Sequence, residues 1–445
     1  MRGMVQIRAK KIGMISLGCA KNLVNSEQMM FLLKSAGYKV TGDTSDVDAV
    51  VLNTCGFIES AKEEAIESVL ELGKAKEEGR VKKLIVAGCL PQRYKDEILS
   101  ELPEIDAVVG TGSFEDIVDA VKSVFTDDKK VSFFDDISAA ISETDRIITT
   151  SAAWAYIKVA EGCDNHCAFC IIPNIRGKFR SRPMENIISE AEKLAERGVK
   201  ELILVAQDVT RYGTDIYGES KLVDLLDNMS KIEKIQWLRL HYLYPDEITE
   251  NLIEAIAGND KILKYMDIPI QHINNDILRN MNRRGTGDEI RALFSSLREK
   301  IDGVVLRTSV ITGLPGEGEE EFTQLAEFLL DAKIERAGVF RYSPEEGTKA
   351  AKMERPPQHE SKRRAELLEN IQMQIMDNFA QSRIGQITKI LVEGYENGRF
   401  YGRTYAESPD IDGYVTIIGK DIAHGAFYNI RIISVEDGQP LGRII

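Results

Sequence analysis

The chain has 445 residues, of which 43% are hydrophobic and 29% are charged. These proportions are typical of globular proteins, and they exclude a disordered, collagen-like or mini-protein chain. Asp and Glu outnumber Lys and Arg by 71 to 57, and the resulting net charge of −14 repels phosphate backbones at long range and attracts basic partners. At roughly 150 residues per domain, the length predicts about two to four domains.

Targeting and membrane segments are not predicted. No uncharged apolar run approaches the ~18 residues that a membrane span needs, and residues 1–19 lack an apolar stretch followed by a small-residue cleavage site. We therefore expect a cytoplasmic protein without a membrane partner. In that reducing compartment, the six cysteines are not expected to form a disulfide framework.

Residues 1–126 predict an N-terminal parallel αβ domain. Apolar runs at 11–19, 48–55 and 82–89 each precede a helical pattern, and a fourth short strand is predicted at 106–112. Residues 127–150 lose this period and collect Asp, Lys, Ser and Thr, which predicts a linker.

Residues 151–378 predict a second αβ domain, a partial (βα)6 barrel of the TIM type. Its six candidate strands lie at 155–162, 201–207, 237–245, 265–271, 304–316 and 337–343. Ligands of such a barrel bind at the carboxyl ends of the strands. Polar residues follow several of these strands, and we expect them at the barrel mouth: Gln207, Asp208, Arg239, His241, Gln271, His272, Arg307 and the turn 312–316.

Residues 379–445 predict a third domain, a small antiparallel β-barrel. A helical stretch near 358–380 leads into short alternating strands, and the pair Asn397-Gly398 is typical of a hairpin turn. The predicted fold class is therefore α/β, with two parallel αβ domains followed by a β-barrel.

The segment EGCDNHCAFC places Cys163, Cys167 and Cys170 directly after a predicted strand, with three and two residues between them. Thiolates so close in sequence can converge on one metal centre. An iron–sulfur cluster normally takes four protein thiolates, so three would leave one iron open to another ligand. Two alternatives remain at this point, a structural zinc site with His166 as fourth ligand and unrelated buried thiols.

A second set of cysteines is spread along the N-terminal domain. Cys19, Cys55 and Cys89 are separated by 36 and 34 residues, about one strand–helix unit each, and each follows a predicted strand. Because the carboxyl ends of neighbouring parallel strands meet at one edge of a sheet, we expect these three thiols to converge as well. The alternative is three buried cysteines that act as small hydrophobic residues.

The CxxxCxxC loop after the first strand of an αβ barrel resembles that of the radical S-adenosylmethionine enzymes. With a second cysteine triplet and a C-terminal barrel similar to the TRAM domain, nearly the whole chain resembles the methylthiotransferases. This resemblance implies two [4Fe-4S] clusters as cofactors, one on each triplet, and S-adenosylmethionine. One S-adenosylmethionine would donate a methyl group, and a second would be cleaved at Cys163, Cys167 and Cys170 to a 5′-deoxyadenosyl radical.

The same resemblance implies that an external electron donor acts on the protein and that Phe169 lies near the adenine of S-adenosylmethionine. No side chain is predicted as a catalytic acid or base, because breaking an unactivated C–H bond needs the reactivity of a cofactor. The cysteine set at Cys19, Cys55 and Cys89 would hold the cluster that handles the sulfur.

The segments NTCGFIESAKEE, VAQDVTRYG, PIQHINND and FRYSPEEGTKAA resemble the branch that modifies an aspartate β-carbon of small-subunit ribosomal protein twelve. Charge favours the same substrate, because 376–445 contains seven basic and nine acidic residues, a net charge of −2. We also expect Asp208 and the pair Glu345-Glu346 to present acid to a basic protein. Nucleic acid is accordingly not the expected substrate, although a transfer-RNA adenosine remains an alternative, as does a non-catalytic iron–sulfur protein.

Overall fold

The computed structural model describes residues 9–95, 97–126 and 129–445. Residues 1–8, residue 96, and residues 127 and 128 of the predicted linker lie outside this part of the chain. Two six-stranded parallel sheets and a closed five-stranded barrel follow one another, which confirms the predicted α/β class. Over the described ranges, no helix combines the length and the apolar character needed to cross a membrane.

The N-terminal domain is a parallel sheet with the strand order β2-β1-β3-β4-β5-β6. Its strands are β1 Lys11–Ser16, β2 Lys39–Thr41, β3 Val47–Thr54, β4 Val81–Gly88, β5 Ala107–Val109 and β6 Val131–Phe133. Its helices are α1 Ala20–Ser35, α2 Glu59–Glu77, α3 Cys89–Tyr94, α4 Glu97–Glu101 and α5 Ile117–Thr126. The central strand β3 is apolar on both faces because helices cover both sides of the sheet.

Sequence periodicity missed two strands of this sheet. The edge strands β2 and β6 have three residues each, too few to show an alternating pattern. Strand β6 lies within the stretch predicted as a linker and pairs in parallel with β5.

The second domain is an open parallel sheet with the order β14-β13-β12-β11-β10-β7 and a separate β8-β9 pair. Its strands are β7 Trp154–Lys158, β8 Ala160–Glu161, β9 Arg180–Ser181, β10 Glu201–Val205, β11 Trp237–Leu240, β12 Ile262–Asp267, β13 Val305–Thr312 and β14 Arg336–Arg341. Its helices are α6 Ile172–Arg176, α7 Met184–Glu196, α8 Thr214–Tyr217, α9 Leu222–Ser230, α10 Glu250–Gly258, α11 Asn275–Asn280, α12 Gly287–Lys300 and α13 Glu319–Ala332. All six predicted strands are present.

The long helix α14 Gln358–Ser382 packs against α13, β13 and β14 of the second domain. It leads into the third domain, a closed barrel with the strand order β15-β16-β17-β19-β18. Its strands are β15 Ile387–Glu396, β16 Arg399–Arg403, β17 Val415–Ile418, β18 Phe427–Glu436 and β19 Gln439–Ile444. Four pairings are antiparallel as expected, whereas β17 and β19 run parallel. Asn397 and Gly398 both have positive φ, as the two-residue hairpin between β15 and β16 requires.

The loop between β16 and β17 attaches this barrel to the concave face of the second domain. Ser408 Oγ lies 2.9 Å from His241 Nε2, and Tyr265 donates to Asp412 at 2.6 Å. Arg239 donates to the carbonyl oxygen of Tyr405 at 2.9 Å. The C-terminal barrel therefore covers part of the open sheet.

Candidate functional site

The CxxxCxxC loop begins at a glycine that no other residue can replace without a clash. Gly162 has φ +78°, and a Cβ there would lie 2.0 Å from the carbonyl oxygen of Lys178. The backbone N–H of Cys163 donates to Gly177 at 3.1 Å, and that of Cys170 donates to Cys167 at 3.0 Å. These bonds fold the loop back on itself, so that its three thiols face one region.

The three thiols of this loop influence one another electrostatically. Burial raises the pKa of Cys163 to about 11, and the nearby Cys167 adds to the rise. Burial likewise raises the pKa of Cys170, with further contributions from Cys167 and Cys163. Bound iron would replace these protons and relieve the repulsion, as it does in thiolate metal sites generally.

The second triplet forms at the carboxyl edge of the N-terminal sheet. Strand β3 pairs with β1 on one side and with β4 on the other, so the segments that follow all three strands meet. A Cβ on Gly18 would lie 2.8 Å from the Cβ of Cys55. Burial, together with the nearby Cys89 and Cys19, raises the pKa of Cys55 to about 11. The segments that carry Cys19, Cys55 and Cys89 therefore lie side by side at this edge of the sheet.

A single zinc ion is a poor fit to either triplet. Zinc held by thiolates at ~2.3 Å draws its ligands close together. Within the described ranges, no three Cys, His, Asp or Glu side chains are grouped so as to hold one metal ion. His166 is exposed, which argues against it as a fourth ligand. Three thiols without a fourth protein ligand suit an iron–sulfur cluster that keeps one iron open.

Arg176, at the end of α6, connects the two triplets. Its Nη2 donates to Cys89 Sγ at 3.3 Å and to Asn22, and its Nη1 donates to Asn25 at 3.0 Å and to Glu161 at 3.2 Å. Burial opposes the charge on this guanidinium, but Cys89 and Glu161 outweigh it and raise the pKa of Arg176 above its usual value. The side chain thus stays cationic between the two domains.

Glu161 anchors this connection two residues before Cys163. It accepts from Lys158 at 3.0 Å and from Gln207 at 2.8 Å, as well as from Arg176. Burial alone would raise the pKa of Glu161, but the two cations outweigh it and hold the pKa well below its usual range. Gln207 Oε1 is buried without a partner, so an acceptor remains free beside the cysteine loop for a donor group of a ligand.

Cationic and phenolic groups also surround the individual thiols. The Arg283 Nη1 lies 3.7 Å from Cys167 Sγ, and the Tyr244 hydroxyl lies 3.6 Å from the same sulfur. Beside Cys19, Lys21 and Arg176 outweigh the effect of burial and lower the pKa of the Cys19 thiol. Sequence analysis did not single out Arg176, Arg283, Tyr244 or Lys21, since no motif spacing marks them.

The residues expected at the barrel mouth divide into three groups. Asp208 is fully buried and accepts from Asn165 of the cysteine loop at 2.8 Å, so it meets that loop, and the expectation that it presents acid to a substrate is wrong. Gln207 reaches the same region through Glu161. Arg239 and His241 instead contact the C-terminal barrel, and the expectation that they line the mouth is wrong. Their side chains point to the concave face that the barrel covers.

The remaining mouth residues have structural partners. Arg307 pairs with Asp267 at 2.7 Å, and His272 lies 3.5 Å from Glu317 beside the turn 312–316. Gln271 has a positive φ and bridges to β13. Phe169 is half-buried and packs in an apolar cluster with Leu314.

Glu345 does not present acid to a substrate. Its side chain is 2% exposed and pairs with Arg93 at 2.6 Å and with Lys62 at 3.2 Å, both in the N-terminal domain. The expectation of an acidic surface at Glu345 is therefore wrong, because the carboxylate holds two domains together. Its neighbour Glu346 is exposed.

Comparisons with known proteins match all three domains. Residues 11–110 match the uncharacterized protein family UPF0004, 157–329 the radical SAM superfamily and 384–445 the TRAM domain. The ribosomal protein uS12 methylthiotransferase RimO of Acetivibrio thermocellus is 47% identical, with 98% of each chain covered. The chain belongs to this methylthiotransferase family. The protein of that name from Lachnoclostridium phytofermentans is 45% identical, with 97% of this chain and 99% of the relative covered.

Solved structures support the fold alone. The radical S-adenosylmethionine methyltransferase TsrM from Kitasatospora setae, solved with cobalamin and a [4Fe-4S] cluster, has a TM-score of 0.55 at 11% identity. The match covers 77% of this chain and 74% of that one. At this identity, the likeness concerns the arrangement of the strands and helices and says nothing of this chain's ligands.

Proposed function

We propose that the chain is the enzyme that methylthiolates the β-carbon of an aspartate in ribosomal protein uS12. The observation that carries this proposal is the pair of cysteine triplets, set at the carboxyl edges of two sheets and joined through Arg176. The substrate is inferred from the relatives, which are named for uS12 and align over nearly the full chain.

We assign one [4Fe-4S] cluster to Cys163, Cys167 and Cys170 and a second, which we call the auxiliary cluster, to Cys19, Cys55 and Cys89. When bound, these groups supply the reductive cleavage of S-adenosylmethionine at the first site and the sulfur chemistry at the second. A second S-adenosylmethionine donates the methyl group, and an external electron donor supplies the electrons.

The protein's own contribution is position and electrostatics. Three thiolates leave one iron open for S-adenosylmethionine. The free acceptor on Gln207 lies beside the loop and suits a polar group of that molecule, and we assign the half-buried ring of Phe169, within the loop, to its adenine. No side chain acts as general acid or base in this proposal, because an unactivated C–H bond needs reactivity that only a bound cofactor would supply.

Charge supports a basic protein as substrate. The C-terminal barrel and the end of α14 expose five basic side chains against six acidic ones, and the latter are Asp377, Glu396, Asp410, Asp421, Glu436 and Asp437. A surface without excess positive charge is a poor electrostatic match for a transfer RNA. The site of action would be the cytoplasm, where uS12 is synthesised and assembled.

Mass spectrometry tests the proposal directly. The anaerobically reconstituted protein is incubated with reductant and S-adenosylmethionine, together with either uS12 or transfer RNA. We expect a methylthio group on an aspartyl peptide of uS12. A methylthio group found on the RNA alone would contradict the proposed substrate but support the proposed chemistry. If neither substrate is modified although both clusters are intact, a non-catalytic iron–sulfur protein is favoured.

A further inference from the structure

One arginine of the barrel domain reaches a cysteine of the other domain. The hydrogen bond from Arg176 Nη2 to Cys89 Sγ measures 3.3 Å, and the side chains of Arg176 and Cys89 are both buried. Arg176 follows the CxxxCxxC loop by six residues, whereas Cys89 begins α3 of the N-terminal domain. A ligand of one triplet is thus hydrogen-bonded from the domain that carries the other.

The guanidinium has little freedom to turn away from this sulfur. Its Nη1 is held by Glu161 at 3.2 Å and Asn25 at 3.0 Å, and its Nη2 also donates to Asn22. Glu161 is itself fixed by Lys158 at 3.0 Å. The planar fork of arginine can serve both sides at once, which the single ammonium of lysine cannot.

A donor and a positive charge at a cluster thiolate act on the electron affinity of the cluster. Hydrogen bonds to ligating sulfurs and nearby charge set the reduction potential of iron–sulfur clusters. Reduction adds a negative charge, and a buried cation a few ångströms away stabilises that charge more strongly than water-exposed groups do. Arg176 meets both conditions at Cys89.

We propose that Arg176 is a positioning residue that raises the reduction potential of the auxiliary cluster. The effect is exerted across the domain boundary, so correct docking of the two domains is what gives the auxiliary cluster its working potential. This proposal rests on the proposed function, because it takes a cluster at Cys19, Cys55 and Cys89 as its object.

Potentiometry on a chain with only that cluster tests the proposal. The full-length protein with Cys163, Cys167 and Cys170 replaced by Ala is reconstituted with iron and sulfide and titrated, with the reduced state followed by electron paramagnetic resonance. In this background, we expect Arg176→Gln to shift the reduction equilibrium at least tenfold toward the oxidised form, equivalent to 59 mV for one electron. Arg176→Lys keeps the positive charge but cannot make both sets of hydrogen bonds at once. Its cluster should therefore have a reduction potential between those of the parent protein and Arg176→Gln.

Arg182 supplies the matched control. It is also a buried arginine, but its partners are the carboxylates of Glu143 and Glu190. Arg182→Gln removes a comparable buried cation and should leave the potential unchanged. If Arg176→Gln binds its full iron and has the parent potential, the proposal is overturned.

Two further outcomes are distinguishable by iron content. If Arg176→Gln does not fold, Arg176→Lys decides: a lowered potential supports the proposal, and the parent potential overturns it. If the parent itself binds no iron, the assignment of an auxiliary cluster fails, and the proposed function and the role of Arg176 fail with it.

Discussion

Arg403 of the C-terminal barrel and Glu201 of β10 form an ion pair at 2.7 Å, and neither side chain is exposed to solvent. Glu201 also pairs with Arg239 at 2.7 Å, so one carboxylate binds a guanidinium from each of two domains, and Arg403 has Glu393 as a further partner. A buried charge is costly to leave without its partner, and this shared carboxylate therefore couples the two domains.

Replacing Glu201 should loosen the C-terminal barrel. Glu201→Gln leaves Arg239 and Arg403 buried without their common counter-charge. We therefore expect the free energy of unfolding, measured from the first transition in urea, to fall by about 3–5 kcal/mol. The exposed pair of Arg399 and Glu436 supplies the control, since Glu436→Gln should cost less than about 1 kcal/mol. Equal effects of the two changes would contradict the proposed coupling.

His241 should make the same interface sensitive to acid. Burial lowers the pKa of His241 to about 3, below its ordinary value of 6.5, and its ring contacts Ser408. Below pH 6.5, the unfolded state takes up a proton that the folded state does not, so stability falls toward pH 3 by up to about 1.4 kcal/mol per pH unit. His241→Gln should flatten this slope in unfolding experiments at several pH values, and an unchanged slope would exclude His241 as its source.

The two cysteine triplets should fail in different ways. Cys163→Ala is expected to abolish cleavage of S-adenosylmethionine, because it removes a ligand of the cluster that performs it. Cys55→Ala should keep the cleavage and lose the methylthio product. Chromatography of 5′-deoxyadenosine and mass spectrometry of the substrate measure the two activities separately. A methylthiolated product from Cys55→Ala would refute the assignment of the auxiliary cluster.

Glu345 should hold the N-terminal domain in place. Its carboxylate is buried between Arg93 and Lys62, so Glu345→Gln is expected to cost several kcal/mol and to speed hydrogen exchange in α2 and α3. The exposed neighbour provides a control one residue away, since Glu346→Gln should change neither quantity. Similar exchange in both variants would mean that Glu345 does not act as an interdomain contact.

Gly162 should be required for the first cluster. An alanine there would place Cβ 2.0 Å from the carbonyl oxygen of Lys178, and the loop could not close around its three cysteines. We expect Gly162→Ala to lose about four of the eight irons of two [4Fe-4S] clusters, measured by iron analysis. Gly198 also has a positive φ, yet its nearest neighbour lies 4.0 Å away, so Gly198→Ala should keep its iron. Full iron in Gly162→Ala would show that the loop tolerates a side chain.

Local sequence patterns predicted much of the fold and the composition of the site. The six strands of the second domain's large sheet and the central strands of the first were predicted from apolar runs, which are visible without a structure. Cysteines at the ends of consecutive parallel strands meet because of sheet topology, which chain order already implies. The strands β2 and β6 were not predicted, because three residues are too few to show a periodic pattern.

Tertiary structure alone decided the roles of the charged residues. The local sequence does not show whether a charged residue lines a site, faces solvent or joins two domains. The structure shows that Glu345, Arg239 and His241 join domains. Arg176 acquires its contact with Cys89 only when the two domains dock, across 87 residues of chain. Periodicity and spacing describe residues that are neighbours within one helix or strand. The partner of a charged side chain is often on a distant element, and the two come together only in the folded protein.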